Sequence, residues 1–191
     1  MQKTQIALFP LQMLLLPGET TRLHIFEERY RQLLDDCEKP GVVFGIPYAI
    51  DGMISGFGCV VEVSKVLKRH HNGAADIEIN CTEIFRLSQF YLRMGEKLYP
   101  GGDVVVLADE DMPRASEALL SALDGYIKLT APEKFTEILS PLLNILQVGR
   151  LLSLDDEEKL KLISARSEVK QERVLLNKIK LMTALRMQVS S

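Results

Sequence analysis

The chain is short of the residues that would announce a function. Its 191 residues hold only three cysteines and three histidines. Cys37, Cys59 and Cys81 are widely spaced and odd in number, with no CxxC pair. That excludes a disulfide scaffold and a cysteine-based zinc site, and it fits reduced thiols in a cytosol. No G-x-x-x-x-G-K-[ST] string occurs, so no phosphate loop of that type is encoded. Neither charge sign dominates: 23 basic against 26 acidic side chains give a net of −3, which disfavours a polybasic nucleic-acid binder. There is no long apolar run. Residues 6–16 are apolar, but Pro10 and Gln12 interrupt them and Pro17-Gly18 ends them. That stretch is too short for a membrane span, and no small-residue cleavage site follows it, so a cytoplasmic protein is expected. Internal repeats and low-complexity linkers are missing too.

What is present is ordinary globular material, 47% hydrophobic and 26% charged. A chain of this length buries about 70% of its unfolded surface, enough for a real core. Its texture changes near Asp109-Glu110-Asp111-Met112-Pro113. Residues 1–112 carry 11 basic and 16 acidic groups, a net of −5, and 10 of the 12 glycines. Residues 113–191 carry 12 and 10, a net of +2. We expect two parts, a β-rich 1–112 and a helical 113–191 packed on it.

Within the first part, residues 5–9 read as a strand, 12–16 as a second extended piece and 20–24 as a short third. Phe26, Tyr30, Leu33, Leu34 and Cys37 then recur at helical spacing, and Lys39-Pro40-Gly41 stops the helix. Further strands are expected over 42–48, 56–67, 76–81, 84–91 and 103–107, with a bulge at Gly58 and a turn at His71-Asn72-Gly73. Six or seven short strands around one helix predict a twisted, partly closed barrel. In the second part, helices are expected over 113–128, from a capping box at Thr130-Ala131-Pro132-Glu133 to about Leu146, from near Ser153-Leu154-Asp155-Asp156, and over 168–187. The last has apolar residues around well over half its circumference, Val169, Val174, Leu175, Leu176, Ile179, Met182 and Leu185, and needs cover on more than one side.

One ordered constellation is more specific. Phe9-Pro10-Leu11, Leu16-Pro17-Gly18, Leu23-His24-Ile25-Phe26-Glu27, Arg29-Tyr30 and Phe44-Gly45 together resemble the substrate-binding domain at the start of Lon proteases. The segments 56–63 and 84–87, and the later Leu151-Leu152-Ser153-Leu154 and Glu172-Arg173-Val174-Leu175-Leu176, fit the same pattern. The resemblance implies an α+β fold, a PUA-like β pseudo-barrel with one embedded helix, followed by a C-terminal helical bundle. Family members usually carry a glycine and an Arg-Phe pair where this chain has Cys81-Thr82-Glu83-Ile84-Phe85. The resemblance further implies capture of unfolded or tagged protein. With no phosphate loop, and no room in 191 residues for the motor and Ser-Lys protease domains, the expectation is a non-catalytic peptide-binding module without them. It would serve as an adaptor in protein quality control, with no cofactor, no metal and no membrane. Homo-oligomers stay open.

The motif residues Phe9, Pro10, Leu11, Pro17, Gly18, Phe26, Glu27, Arg29 and Tyr30 read as structural: prolines and a glycine that shape turns, and a guanidinium that ties barrel loops through carbonyls. The carboxylate pairs Asp35-Asp36 and Asp155-Asp156 read as solvated faces or helix ends. His24 lies in a separate segment from His70 and His71, so no acid–base or metal constellation is expected. Peptide binding is expected through exposed apolar side chains on a loop after the 42–48 strand: Ile50, Met53 and Ile54 around Asp51-Gly52, with Phe57 nearby. The same loop could instead cap the barrel core. Two rival functions stand beside this one, an RNA-binding PUA-like protein using Lys68-Arg69-His70-His71, and an uncharacterised hydrolase using Cys or His.

Overall fold

The structure, a computed structural model, describes residues 3–37, 42–130 and 142–189. It comprises two compact units, Met1–Asp109 and Glu110–Ser191. No helix among the described residues is long and apolar enough to cross a membrane.

The first unit is a six-stranded antiparallel sheet with one helix. In chain order come β1 (Lys3–Ala7), β2 (Thr20–Ile25), α1 (Glu28–Cys37), β3 (Val43–Ile50), β4 (Met53–Arg69), β5 (Ala75–Tyr91) and β6 (Gly101–Leu107). The strand order is β1-β6-β5-β4-β3, and β2 pairs with β5 off that path. Residues 8–11 then close the ring. Leu8 and Leu11 form parallel bridges to Gly45 and Tyr48 of β3. The Phe9 N–H donates to the Gly45 carbonyl (2.8 Å), and the Ala49 N–H donates to the Leu11 carbonyl (2.8 Å). Closure of this kind satisfies the edge that β3 would otherwise expose. The fold is thus the expected PUA-like pseudo-barrel with an embedded helix.

Alternation along β4 separates two apolar clusters. Cys59 and Val61 join Phe9, Tyr30, Leu33, Leu34, Ile77 and Ile79 in one. Val60 joins Ile6, Leu8, Phe85 and Val104 in the other. Successive strand residues point to opposite faces, so β4 feeds both. Gly58 is required where β4 passes β3: a Cβ there would collide with the Ile46 carbonyl, the Pro47 Cα and the Phe85 ring.

Several expected boundaries move. Residues 12–16 form no strand, although Leu14, Leu15 and Leu16 are buried. The Leu16 N–H is instead satisfied by the Glu19 carboxylate (2.9 Å). Residues 76–81 and 84–91 belong to one 17-residue strand, β5. An irregularity opposite Val60 and Val61 absorbs Thr82, whose hydroxyl donates to the Val60 carbonyl (3.3 Å). Phe26 is not on the helix. Glu28 begins α1, and Phe26 stays 64% exposed.

The second unit holds α2 (Glu117–Thr130), α3 (Ile145–Leu151), α4 (Asp156–Ser164) and α5 (Glu168–Val189), after a short 3-10 turn at Asp109–Asp111. Helix α2 starts four residues later than Pro113. Residues 113–115 pair with 143–145 instead, through Ala115 N–H to the Leu143 carbonyl (2.9 Å) and Ile145 N–H to the Pro113 carbonyl (3.0 Å). Ser116 then starts the helix, its Oγ accepting from the Leu119 N–H (3.2 Å). The expected box at Thr130-Ala131-Pro132-Glu133 runs outside the described residues. No helix reaches Leu146 from it, because Asn144 starts α3 with its own capping box to Gln147. Asp155, rather than Ser153, starts α4 by the same device with Glu158. Helix α5 buries Leu175 and Ile179, while Val169, Leu181, Leu185 and Met187 remain exposed. Val174, Leu176 and Met182 are half-buried beside the line of Leu175 and Ile179.

Candidate functional site

The residues expected on a loop lie at the end of a hairpin. Asp51 and Gly52 have φ of 51° and 76°, and β3 pairs with β4 on either side of them, Ile50 opposite Met53 and Ala49 opposite Ile54. Positive φ at both central residues is what a type I′ turn needs, and that turn matches the right-handed twist of the strands it joins. Just below the tip the ladder breaks. One residue of β3, Tyr48, faces three of β4, residues 55–57. The Ser55 hydroxyl fills the gap, donating to the Phe57 carbonyl (2.9 Å) and accepting from the Phe57 N–H (3.2 Å). The tip therefore extends past the regular ladder. Met53 is 68% exposed there, and Ile50, Ile54 and Phe57 are half-buried. None of the four is among the buried core residues.

The family-motif residues cluster elsewhere. The Phe9 ring stacks on Tyr30 with centroids 3.8 Å apart and lies 6.4 Å from Phe44, and all three are buried. After Pro10, Leu11 lies against β3, whose Pro47 carbonyl accepts the Leu11 N–H (3.3 Å). Pro17 and Gly18 make a turn with φ of 82° at Gly18, whose N–H reaches the Cys81 carbonyl (2.8 Å). Arg29 does not tie loops together. Its Nη2 lies 2.7 Å from the Glu27 carboxylate two residues back, and its guanidinium covers the Tyr30 ring at 4.6 Å. Glu27 also receives the Tyr30 and Arg31 N–H groups on its carbonyl, opening α1. Burial pushes the Tyr30 phenol above its ordinary pKa, against the opposing pull of the Arg29 cation and with a smaller push from Glu27.

Asp36 is not merely solvated. Its Oδ2 lies 2.7 Å from Lys97 Nζ and accepts the Tyr99 hydroxyl at 2.8 Å, which fastens α1 to the segment before β6. Beside α1 runs a polar groove of about 470 Å³, lined in part by Glu28, Arg31, Asp35, Arg69 and Leu98. Arg31 reaches across it from Nη1 to the Asn72 carbonyl (3.0 Å), while its buried Nε has no partner among the described residues. Nothing in the local sequence around Arg31 signals this groove.

The three histidines are placed unlike their sequence suggests. His24 and His70, in separate segments, meet on one carboxylate. His24 Nδ1 is 2.6 Å from Asp76 Oδ1, and His70 Nε2 is 2.8 Å from Asp76 Oδ2. Hydrogen bonds from His24 and then His70 hold the Asp76 carboxyl below its usual range. The Lys68-Arg69-His70-His71 run is thereby partly compensated, since Arg69 also lies 3.8 Å from Asp35. The thiols are withdrawn from solvent. Cys37, Cys59 and Cys81 are free and buried. Burial, aided by Asp36, pushes Cys37 up to about 11, and a hydrogen bond with Cys59 together with burial pushes Cys81 up as well. A catalytic thiol needs the opposite shift.

With this geometry in view, the comparisons with known proteins are direct. The family model described as the ATP-dependent protease La (LON) substrate-binding domain matches residues 5–183. The structure is similar to the crystal structure of a Lon N-terminal domain protein from Xanthomonas campestris, with a TM-score of 0.61 and 23% identity, covering 95% of this chain and 98% of that one. It is also similar to the N-terminal domain of the Mycobacterium avium complex Lon protease, with a TM-score of 0.66 and 13% identity, covering 93% and 98% respectively. No curated protein matches the chain.

Proposed function

The chain belongs to the LON substrate-binding domain family, and from that premise we propose that it is a non-catalytic module that holds extended or unfolded polypeptide segments, acting in the cytoplasm as an adaptor for protein quality control. The observation that carries this reading is the family match across 5–183, a domain defined by binding protein substrates. The hairpin tip is the contact surface we assign to it. Unfolded segments share apolar side chains and a backbone, and little else, so a general receptor must offer adaptable apolar contacts. Methionine is the most adaptable of these, and Met53, the first residue of β4 after the two-residue turn, stands 68% exposed. Ile50 and Ile54 flank it. The Phe9–Tyr30–Phe44 stack supports a structural role for the Phe9-Pro10-Leu11 string, since its rings are buried.

The rival readings have weaker support. A first part with a net of −5 repels a phosphate backbone, and its one basic run is partly paired with Asp35 and Asp76. Raised, buried thiols speak against a cysteine nucleophile. The test is fluorescence anisotropy with a labelled protein offered both folded, with its disulfides intact, and reduced and alkylated. The proposal predicts saturable binding of the unfolded form alone, little changed by salt or by competing RNA. Binding confined to RNA and steeply weakened by salt would replace it with the nucleic-acid reading.

A further inference from the structure

We infer that His24, His70 and Asp76 form a binding site for a divalent transition-metal ion of the zinc class. The inference is independent of the polypeptide-binding reading and concerns a different part of the barrel. One ligand atom from each of the three residues lies within 4.8 Å of the others.

Backbone pairing on three strands creates the cluster. His24 on β2 stands directly opposite Asp76 on β5 in the antiparallel register. His70 follows the last residue of β4, at the turn that returns the chain into β5. That turn is fixed by its own hydrogen bonds. The His70 N–H donates to the Ala74 carbonyl (2.8 Å), the Gly73 N–H to the His70 carbonyl (3.0 Å), and the Ala74 N–H to Asn72 Oδ1 (3.1 Å). Gly73 supplies the positive φ of 82° the turn requires. The donors are therefore carried by ladders and a closed turn, which hold ligands more firmly than a free loop does.

The chemistry of the donor set selects the ion. Two imidazoles and one carboxylate are nitrogen-rich. Magnesium and calcium prefer oxygen alone, and no thiolate is present to favour copper(I). Two nitrogens sit on separate oxygens of one carboxylate at 2.6 and 2.8 Å. That is a site occupied by protons where a cation would bind, because metal and proton compete for the same lone pairs. In a tetrahedral zinc site the ligand atoms lie about 3.3 Å apart, from bonds of roughly 2.0–2.1 Å. The present separations run from 2.6 Å up to at most 4.8 Å. They bracket that value, so side-chain rotation alone can open the carboxylate and draw the imidazoles in. The rings are already crossed, with centroids 5.5 Å apart at 76°. Phe26 stacks on His24 at 5.9 Å, which gives its high exposure a purpose: it shields one side of the imidazole. Side-chain exposures of 54% for His24, 30% for His70 and 36% for Asp76 leave the remaining positions to water or an external ligand. Lys68 opposes Asp76 across β4 and β5, a positive neighbour that lowers affinity without occupying the site.

The test is calorimetric titration of the metal-stripped full chain with zinc chloride, repeated with cobalt(II) to read the ligand-field absorption of the bound ion. The expected result is one equivalent of zinc, no uptake of magnesium, and a rise in melting temperature with zinc. His24→Ala and Asp76→Asn should each weaken zinc binding by at least about 10-fold, while His71→Ala, which changes the adjacent histidine outside the cluster, leaves it unchanged. These side chains are exposed, and a melt of each variant without metal checks that it folds. Absence of saturable zinc uptake by the unaltered chain would overturn the inference. So would one-equivalent binding that survives both His24→Ala and Asp76→Asn, or that disappears with His71→Ala.

Discussion

Truncating Phe9 to alanine removes a ring that keeps only 7% of its accessible surface. The ring lies flat on Tyr30, 3.8 Å away, and within 6.4 Å of Phe44. A buried Phe→Ala change costs about 3–5 kcal/mol, the stacked pair included. Here the upper half of that range applies. Tyr30 is held by α1 and Phe44 by β3, so the surrounding rings cannot close the gap. Taking about 4 kcal/mol, and an unfolding entropy near 2.1 cal/mol/K per residue, the unit Met1–Asp109 should lose roughly 17 °C in melting temperature. Circular dichroism melts and urea titrations with an unchanged slope are the assay. Tyr30→Phe is the companion variant. The Tyr30 hydroxyl makes no hydrogen bond among the described residues, so its loss should shift stability by less than about 0.5 kcal/mol. A silent melt for Phe9→Ala, accompanied by lost polypeptide binding, would refute the structural reading of the Phe9-Pro10-Leu11 string and make it part of the recognition surface.

Two further outcomes follow from the packing and the charges. Cys37, ordinarily near 9, is pushed up to about 11 by burial. A folded-state pKa raised above the unfolded value gives stability that is complete below about pH 9 and lost as pH rises towards 11. Urea melts between those values should weaken progressively, and less so in Cys37→Ala, while a thiol reagent at pH 8 should find all three cysteines only after denaturation. Arg29→Ala should cost only about 0.5–1 kcal/mol by thermal melt, because its ion pair with Glu27 is 48% and 39% exposed and its hold on Tyr30 is a surface cation–π contact. The loop-tying guanidinium that the sequence suggests would cost more to remove, but the Glu27 pairing takes its place.

The barrel was legible because its signals are local. Alternation, the Asn72-Gly73 turn and the helical spacing of Tyr30, Leu33, Leu34 and Cys37 each stand in a few consecutive residues. Sequence and structure part where a local signal is outvoted. The Asp51-Gly52 pair between apolar residues is a hairpin signal as strong as Asn72-Gly73, yet the four apolar residues around it suggested a loop. Strand β5 reads as two strands because Thr82-Glu83 breaks the apolar pattern, while a bulge against β4 carries the strand through. Proline fits a first turn, so the sequence places the start of α2 at Pro113, but Ser116 holds the Leu119 N–H and sets the start. The His24–Asp76–His70 cluster was not legible at all. Its members are 52 and 6 residues apart, and only the pairing of β2 with β5 makes the longer separation short.

The central claim is that the β3–β4 hairpin tip holds unfolded polypeptide. Its most direct test is the double substitution Ile50→Ser with Met53→Ser, measured by anisotropy with a reduced, alkylated protein and by a thermal melt of the same sample. Neither side chain belongs to the buried core, so the account predicts a melt within a few degrees of the unaltered chain, and affinity for the unfolded protein reduced at least about 10-fold, a loss of roughly 1.4 kcal/mol. A folded variant that binds with unchanged affinity would contradict the account, and a variant that unfolds would show that the hairpin caps the core instead of receiving a client.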